Sequence, residues 1–176
     1  MKVLDLFCGM GGWSKPWIES GHDVTGIDIM DYNYPGKFIQ ADLLNWEPDQ
    51  YYDMVFASPP CTEFSIAKKY AWGNQDERIG LDLVYRAFYI ISKIKPKWFV
   101  IENVKGLADF IDKPNQIVRY GKNSNHKAAY LWTNIPQIGM LDSTINLRCD
   151  DYGNSSPKRS EIPRPLSQAV YNTIDR

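Results

Sequence analysis

Cys61 closes the run Ser58-Pro59-Pro60-Cys61, which places a thiol on a loop stiffened by two consecutive prolines. A nucleophile gains from a fixed position, and thiolate is the most nucleophilic common side chain near neutral pH. Glu102-Asn103-Val104 follows the apolar run Trp98-Phe99-Val100-Ile101. A carboxyl at the rim of a sheet is partly desolvated, which raises its pKa and favours the proton-donating form. Near the start stands Asp5-Leu6-Phe7-Cys8-Gly9-Met10-Gly11-Gly12. Glycines let backbone approach a ligand closely, and a helix after such a turn offers N–H groups to a carboxylate. The dinucleotide fingerprint G-x-G-x-x-G is absent. Asp28 is suited to a ribose diol and Asp42 to an exocyclic amine. Each feature alone also has a bland reading: a buried thiol, a polar loop entry, a turn with surface acids.

The elements that must position these groups alternate between two periodicities. Val3 to Phe7 reads as a strand, and Ser14 to Ser20 as a short helix with Pro16 in its first turn and Gly21 as its stop. Strands follow at Asp23 to Asp28, Lys37 to Gln40 and Tyr52 to Ala57, the last stopped by the proline pair. Residues 78–94 carry Leu83, Val84, Ala87, Phe88, Ile91 and Ile94 at helical spacing, and Trp98 to Ile101 is again a strand. Tyr130 to Thr133 and Leu166 to Ile174 read as a further strand and a final helix. Alternating strands and helices predict a parallel α/β sheet, whose ligands sit beyond the carboxyl ends of the strands. Each cluster singled out above lies at such an end.

The chain has 176 residues, with 44% hydrophobic and 23% charged, which suits one domain with a sizeable core. No apolar run reaches the ~18 residues of a membrane span, and Asp5 interrupts any signal region, so the expectation is a cytoplasmic protein. Cys8, Cys61 and Cys149 are too few and too scattered for a disulfide framework or a zinc site, and no metal is expected. Net charge is −1, but residues 1–94 carry a balance of −5 and residues 95–176 one of +4. A basic second half suits a phosphate backbone, as it also suits ordinary uneven surface charge.

Taken together, the motifs resemble those of the DNA cytosine-C5 methyltransferases. Asp5 to Gly12 is similar to that family's cofactor motif, Pro59-Pro60-Cys61 with Phe64-Ser65 to its nucleophile loop, and Glu102-Asn103-Val104 to its base-binding motif. They occur in the family's order, and the likeness covers residues 1–105 best. The resemblance implies one domain over residues 1–176 with a Rossmann-like class I methyltransferase fold, a mostly parallel twisted sheet with helices on both faces. It implies S-adenosylmethionine as cofactor, held by Asp5, Phe7, Cys8, Gly9, Gly11, Gly12, Trp13, Asp28, Ile29, Asp42, Leu43 and Pro59. Phe7 would pack on the adenine, Asp28 bind the ribose, Asp42 the adenine amine, and the glycine turn with Trp13 the methionine end. Cys61, Glu102 and Asn103 are the implied catalytic set: a thiolate for carbon 6 of cytosine, a proton donor at ring N3, and a residue holding the Glu102 loop. The implied partner is DNA, with its target cytosine flipped out, and Ser65 is placed on the substrate side.

Beyond residue 105 the likeness thins. The family's Gln-x-Arg-x-Arg motif is missing after Tyr120-Gly121, where His126 and Lys127 stand near the expected first arginine and are the candidates for its charge. Residues 135–165 read as a loop in place of the family's large target-recognition segment, too short to position several base-reading side chains. The expectation is a short or relaxed sequence preference, or recognition supplied by a partner or a second copy. Arg159 to Leu166 resembles the close of small, phage-type members. Two readings stay beside the main one: the same chemistry on tRNA or a free deoxycytidine nucleotide, and a catalytically silent cofactor-binding subunit.

Overall fold

The computed structural model describes residues 1–64, 77–120, 127–138 and 161–174. Its strands are β1 (Lys2–Leu6), β2 (Asp23–Asp28), β3 (Lys37–Gln40), β4 (Met54–Ala57), β5 (Trp98–Asn103), β6 (Gln116–Tyr120) and β7 (Lys127–Thr133). They form one sheet in the order β3-β2-β1-β4-β5-β7-β6. The pairings from β3 to β5 are parallel, while β7 lies antiparallel to both β5 and β6. Helices α1 (Lys15–Glu19), α2 (Glu77–Ile94) and α3 (Arg164–Ile174) cover the sheet.

The two-residue period of the strands decides which side chain meets which helix. Leu4 and Leu6 of β1, Val55 and Ala57 of β4 and Ile101 of β5 face α2, which meets them with Val84, Ala87, Ile90, Ile91 and Ile94. Val3, Met54, Phe56 and Val100 face the other way, toward Trp17 of α1 and Leu166 and Val170 of α3. Helices therefore cover both faces, and the central strands are buried on both sides, as parallel strands usually are. This is the Rossmann-like fold expected of a class I methyltransferase.

Several boundaries differ from the sequence reading. β1 ends at Leu6 because Phe7 adopts a φ of +57°, which leaves the extended region. α1 is one residue shorter at each end. α3 begins at Arg164 rather than Leu166, with Pro165 in the first turn where its missing N–H costs nothing. β6 was not anticipated. Of the stretch 135–165, Ile135, Ile138 and Ile162 are described and buried against the α1/α3 face. Among the described residues no helix is long and apolar enough to cross a membrane.

Candidate active site

Cys61 lies beyond the carboxyl end of β4, and Glu102 is the penultimate residue of the neighbouring parallel strand β5. Ala57, at the end of β4, lies opposite Ile101 of β5. Four residues past Ala57 comes Cys61, and one past Ile101 comes Glu102. Topology thus brings together what the sequence separates. Burial pushes the Cys61 thiol above its usual pKa, and the negative charge of Glu102 adds to that rise. Burial alone pushes the Glu102 carboxyl up to about 7. Near neutral pH this carboxyl can hold a proton, and once protonated it no longer opposes a thiolate at Cys61.

Asn103 is fully buried, and it bonds on two sides. Its Nδ2 donates to the Pro59 carbonyl at 3.0 Å, while Oδ1 accepts the Val104 N–H at 2.9 Å. It therefore ties the Cys61 loop to β5, in addition to shaping the turn after Glu102. Phe64 anchors the far end of the loop. A Cβ on Gly106 would lie 2.2 Å from the Phe64 carbonyl oxygen, and one on Gly80 would lie 2.7 Å from its ring. Both glycines are there because Phe64 packs directly on backbone.

The glycine turn crosses the ends of β1 and β2. Gly9 and Gly11 have φ of +49° and +76°, and the Gly9 N–H donates to Asp28 Oδ2 at 3.0 Å. Gly11 N–H donates to the Cys8 carbonyl at 2.8 Å. Helix α1, whose N–H groups are the ones expected to meet a ligand carboxylate, has five residues and starts three residues past Gly12. A Cβ on Gly9 would meet nothing within 4 Å, so this turn leaves open space for a ligand. Ile29, next to Asp28, is 63% exposed and offers an apolar face beside that space. Asp28 keeps lone pairs free while accepting from Gly9 and, at 3.3 Å, from the Met30 N–H. Asp42 is exposed and accepts from the Leu44 N–H and the Asn45 amide, both at 2.9 Å. These acceptors, the apolar face and the open turn fit an adenosine-bearing ligand.

Four expected cofactor residues turn their side chains elsewhere. Asp5 is 1% exposed and accepts a hydrogen bond from Ser14 Oγ, to which Tyr34 Oη also donates. Leu43 is buried against α2. Cys8 is buried, and burial with the charges of Asp5 and Asp28 pushes its thiol far up. The Trp13 ring is 1% exposed, stacks on Phe56 at 4.9 Å and donates from Nε1 to Ser58 Oγ at 2.9 Å. These side chains shape the turn from behind, because each lies on the core side of its strand or turn. Phe7 is half-buried, and Pro59 is buried.

Sequence reasoning missed Tyr34 and Arg86. Tyr34 lies flat on Gly26, where a Cβ would fall 2.4 Å from the ring, and its hydroxyl reaches the Ser14–Asp5 pair. Arg86 of α2 donates from Nε to the Leu43 carbonyl at 2.8 Å and also to the Trp46 carbonyl, fixing the loop that bears Asp42. The Gly beside an apolar strand residue was the one signal for Tyr34; nothing local marks Arg86. Ser65 and His126 lie outside the described residues, and of Lys127 only its backbone in β7 is described.

Residues 1–130 match the model of the family described as C-5 cytosine-specific DNA methylase. The chain is 32% identical over 139 residues to type II methyltransferase M.HindV of Haemophilus influenzae, covering 69% of this chain and 44% of that protein. It is 31% identical over 157 residues to a probable DNA (cytosine-5)-methyltransferase of Frog virus 3, covering 77% and 71%. Over 191 aligned residues it is 27% identical to type II methyltransferase M.DdeI of Desulfomicrobium norvegicum, covering 97% and 45%. The chain thus spans less than half the length of two of these relatives and 71% of the third. A family model matched over residues 1–130 and relatives of this identity show that the chain belongs to the C-5 cytosine-specific DNA methylase family.

Proposed function

We propose that this chain transfers a methyl group from S-adenosylmethionine to carbon 5 of cytosine in DNA, through a covalent adduct with Cys61. The observation that carries the reading is the placement of Cys61 and Glu102 just past Ala57 and Ile101, which are paired residues of two neighbouring parallel strands. Bound in the glycine turn, S-adenosylmethionine would supply an electrophilic methyl on a sulfonium. Carbon 5 of cytosine is too weak a nucleophile to accept it unaided. The Cys61 thiolate adds to carbon 6 and so places electron density on carbon 5, while protonated Glu102 donates to N3 and stabilises that charge. After methylation a base takes the carbon 5 proton, the ring double bond re-forms, and Cys61 leaves as thiolate. In duplex DNA the cytosine must leave the stack, at a cost of a few kcal/mol. Asn103 holds the thiol loop, Asp28 and Asp42 receive the ribose and the adenine amine, and Ile29 and Phe7 flank the ring.

The short stretch 135–165 supports a short or relaxed sequence preference, or recognition by a partner or a second copy. Transfer of labelled methyl into duplex DNA, RNA and dCMP in parallel tests the substrate: label only in RNA or dCMP overturns the DNA reading. Duplex DNA containing 5-fluorocytosine should trap an adduct, since its carbon 5 has no proton to lose, and Cys61→Ser should abolish it. If the intact protein with cofactor forms no adduct, the chain is a silent cofactor-binding subunit.

A further inference from the structure

Among the described residues a side-chain bond from Trp13 to Ser58 joins the end of the glycine turn to the thiol loop, and on it we propose that Trp13 is a positioning residue: through Ser58 it transmits occupancy of the turn to Cys61. The inference rests on the function proposed above. Trp13 follows the turn directly, and its neighbours are already held. Gly12 packs on the backbone of Ile162, and Ser14 bonds Asp5 and Tyr34. The Trp13 ring is buried flat on Phe56, with a 9° angle between the planes, and Trp17 meets the same Phe56 ring edge-on at 4.7 Å. A buried indole N–H needs an acceptor, and here it is Ser58 Oγ at 2.9 Å.

Ser58 is well placed to pass a displacement on. Its own N–H donates to the Leu6 carbonyl at 3.2 Å, extending the β1–β4 ladder, so the residue is hinged at its backbone. Between Ser58 and Cys61 stand only Pro59 and Pro60, whose rings fix φ at both positions. A shift of the Ser58 side chain therefore reaches the thiol with little slack. Phenylalanine at position 13 would stack on Phe56 equally well, so the stacking alone does not account for an indole there. The bond does.

The test reads Cys61 itself. In a Cys149→Ser background, the rate of alkylation at Cys61 by iodoacetamide is followed by peptide mass spectrometry, with and without saturating S-adenosylhomocysteine. The wild-type sequence should show a change of at least about fivefold on binding. In Trp13→Phe and in Ser58→Ala the change should fall below about twofold, the double variant should be no worse than either, and Ser58→Thr should restore it. Unfolding midpoints confirm that each variant folds. A binding effect that persists in Trp13→Phe, or is missing in the wild type, overturns the proposal. Methyl transfer to DNA is measured on the same samples. Transfer without the linkage sinks this inference alone, and linkage without transfer sinks only the DNA reading.

Discussion

Asn103 reaches across from β5 to hold the Pro59 carbonyl at 3.0 Å, so the strand that bears Glu102 also holds the loop that bears Cys61. The residue between Glu102 and that loop is fully buried, and its amide satisfies both neighbours at once. Asn103→Ala strips both of their partner. An unfolding cost of about 1–3 kcal/mol is expected from urea denaturation. Single-turnover transfer should slow by roughly 100-fold, since a misplaced reacting atom costs about that much.

The Cys61–Glu102 pair fixes the pH profile. In the proposed mechanism activity needs a thiolate and a protonated carboxyl together, although the carboxyl has the lower pKa, about 7, and burial holds the thiol above its usual value. The active form is thus the singly ionised pair with its proton on Glu102. Its population rises as pH approaches about 7, stays level until the thiol titrates, and falls beyond it. In Glu102→Gln the donor no longer titrates, so the acid limb near 7 should vanish and adduct formation should rise only with thiol ionisation. An unchanged acid limb in the variant would assign it to another group.

Asp5 gives stability a pH dependence of its own. Burial raises its pKa from 3.8 to about 8, against the opposing pull of the Ser14 hydroxyl. The folded state therefore keeps a proton that the unfolded chain loses. This contribution is complete below about 3.8 and disappears as pH climbs to about 8. Asp5→Asn should flatten that slope in urea midpoints taken across the window, and should stabilise the protein at the alkaline end.

Two glycines of one turn should answer alanine differently. Gly9→Ala adds a methyl to open space at positive φ, with a folding cost of about 1 kcal/mol. Its larger effect should be weaker S-adenosylhomocysteine binding, measured by calorimetry. Gly12→Ala drives a methyl to 2.7 Å from the Ile162 backbone, so its main effect should be on unfolding, by about 1–3 kcal/mol.

Arg86→Met keeps the apolar stem of the side chain and removes three donated bonds, to Leu43, Trp46 and Glu47. The loop bearing Asp42 should then loosen, and affinity for S-adenosylhomocysteine should drop by about tenfold with methyl transfer at saturation little changed. Equal losses in binding and turnover would place Arg86 elsewhere in the reaction.

The sequence was legible where chemistry sits at the end of an apolar run. β2 and β3 came out with their observed limits, and Cys61, Glu102 and Asp28 each follow a run that forces a strand. β6 escaped because Gln116-Ile117-Val118-Arg119-Tyr120 is an edge strand with Ile117 exposed, so its one-sided burial leaves a weak pattern. The bonds from Trp13 to Ser58 and from Asn103 to Pro59 join residues 45 and 44 apart. No local spacing announces such a partner. For the same reason the inward packing of Trp13, Leu43 and Asp5 is not legible locally: only the pleat and the turn decide it.

The contact of Gly12 with Ile162 has a consequence for the order of synthesis. The turn near the start of the chain rests on a segment translated 150 residues later, so a nascent chain carries that turn without its support until Ile162 has left the ribosome. Burial of the turn is thereby delayed until both helices on that face can dock.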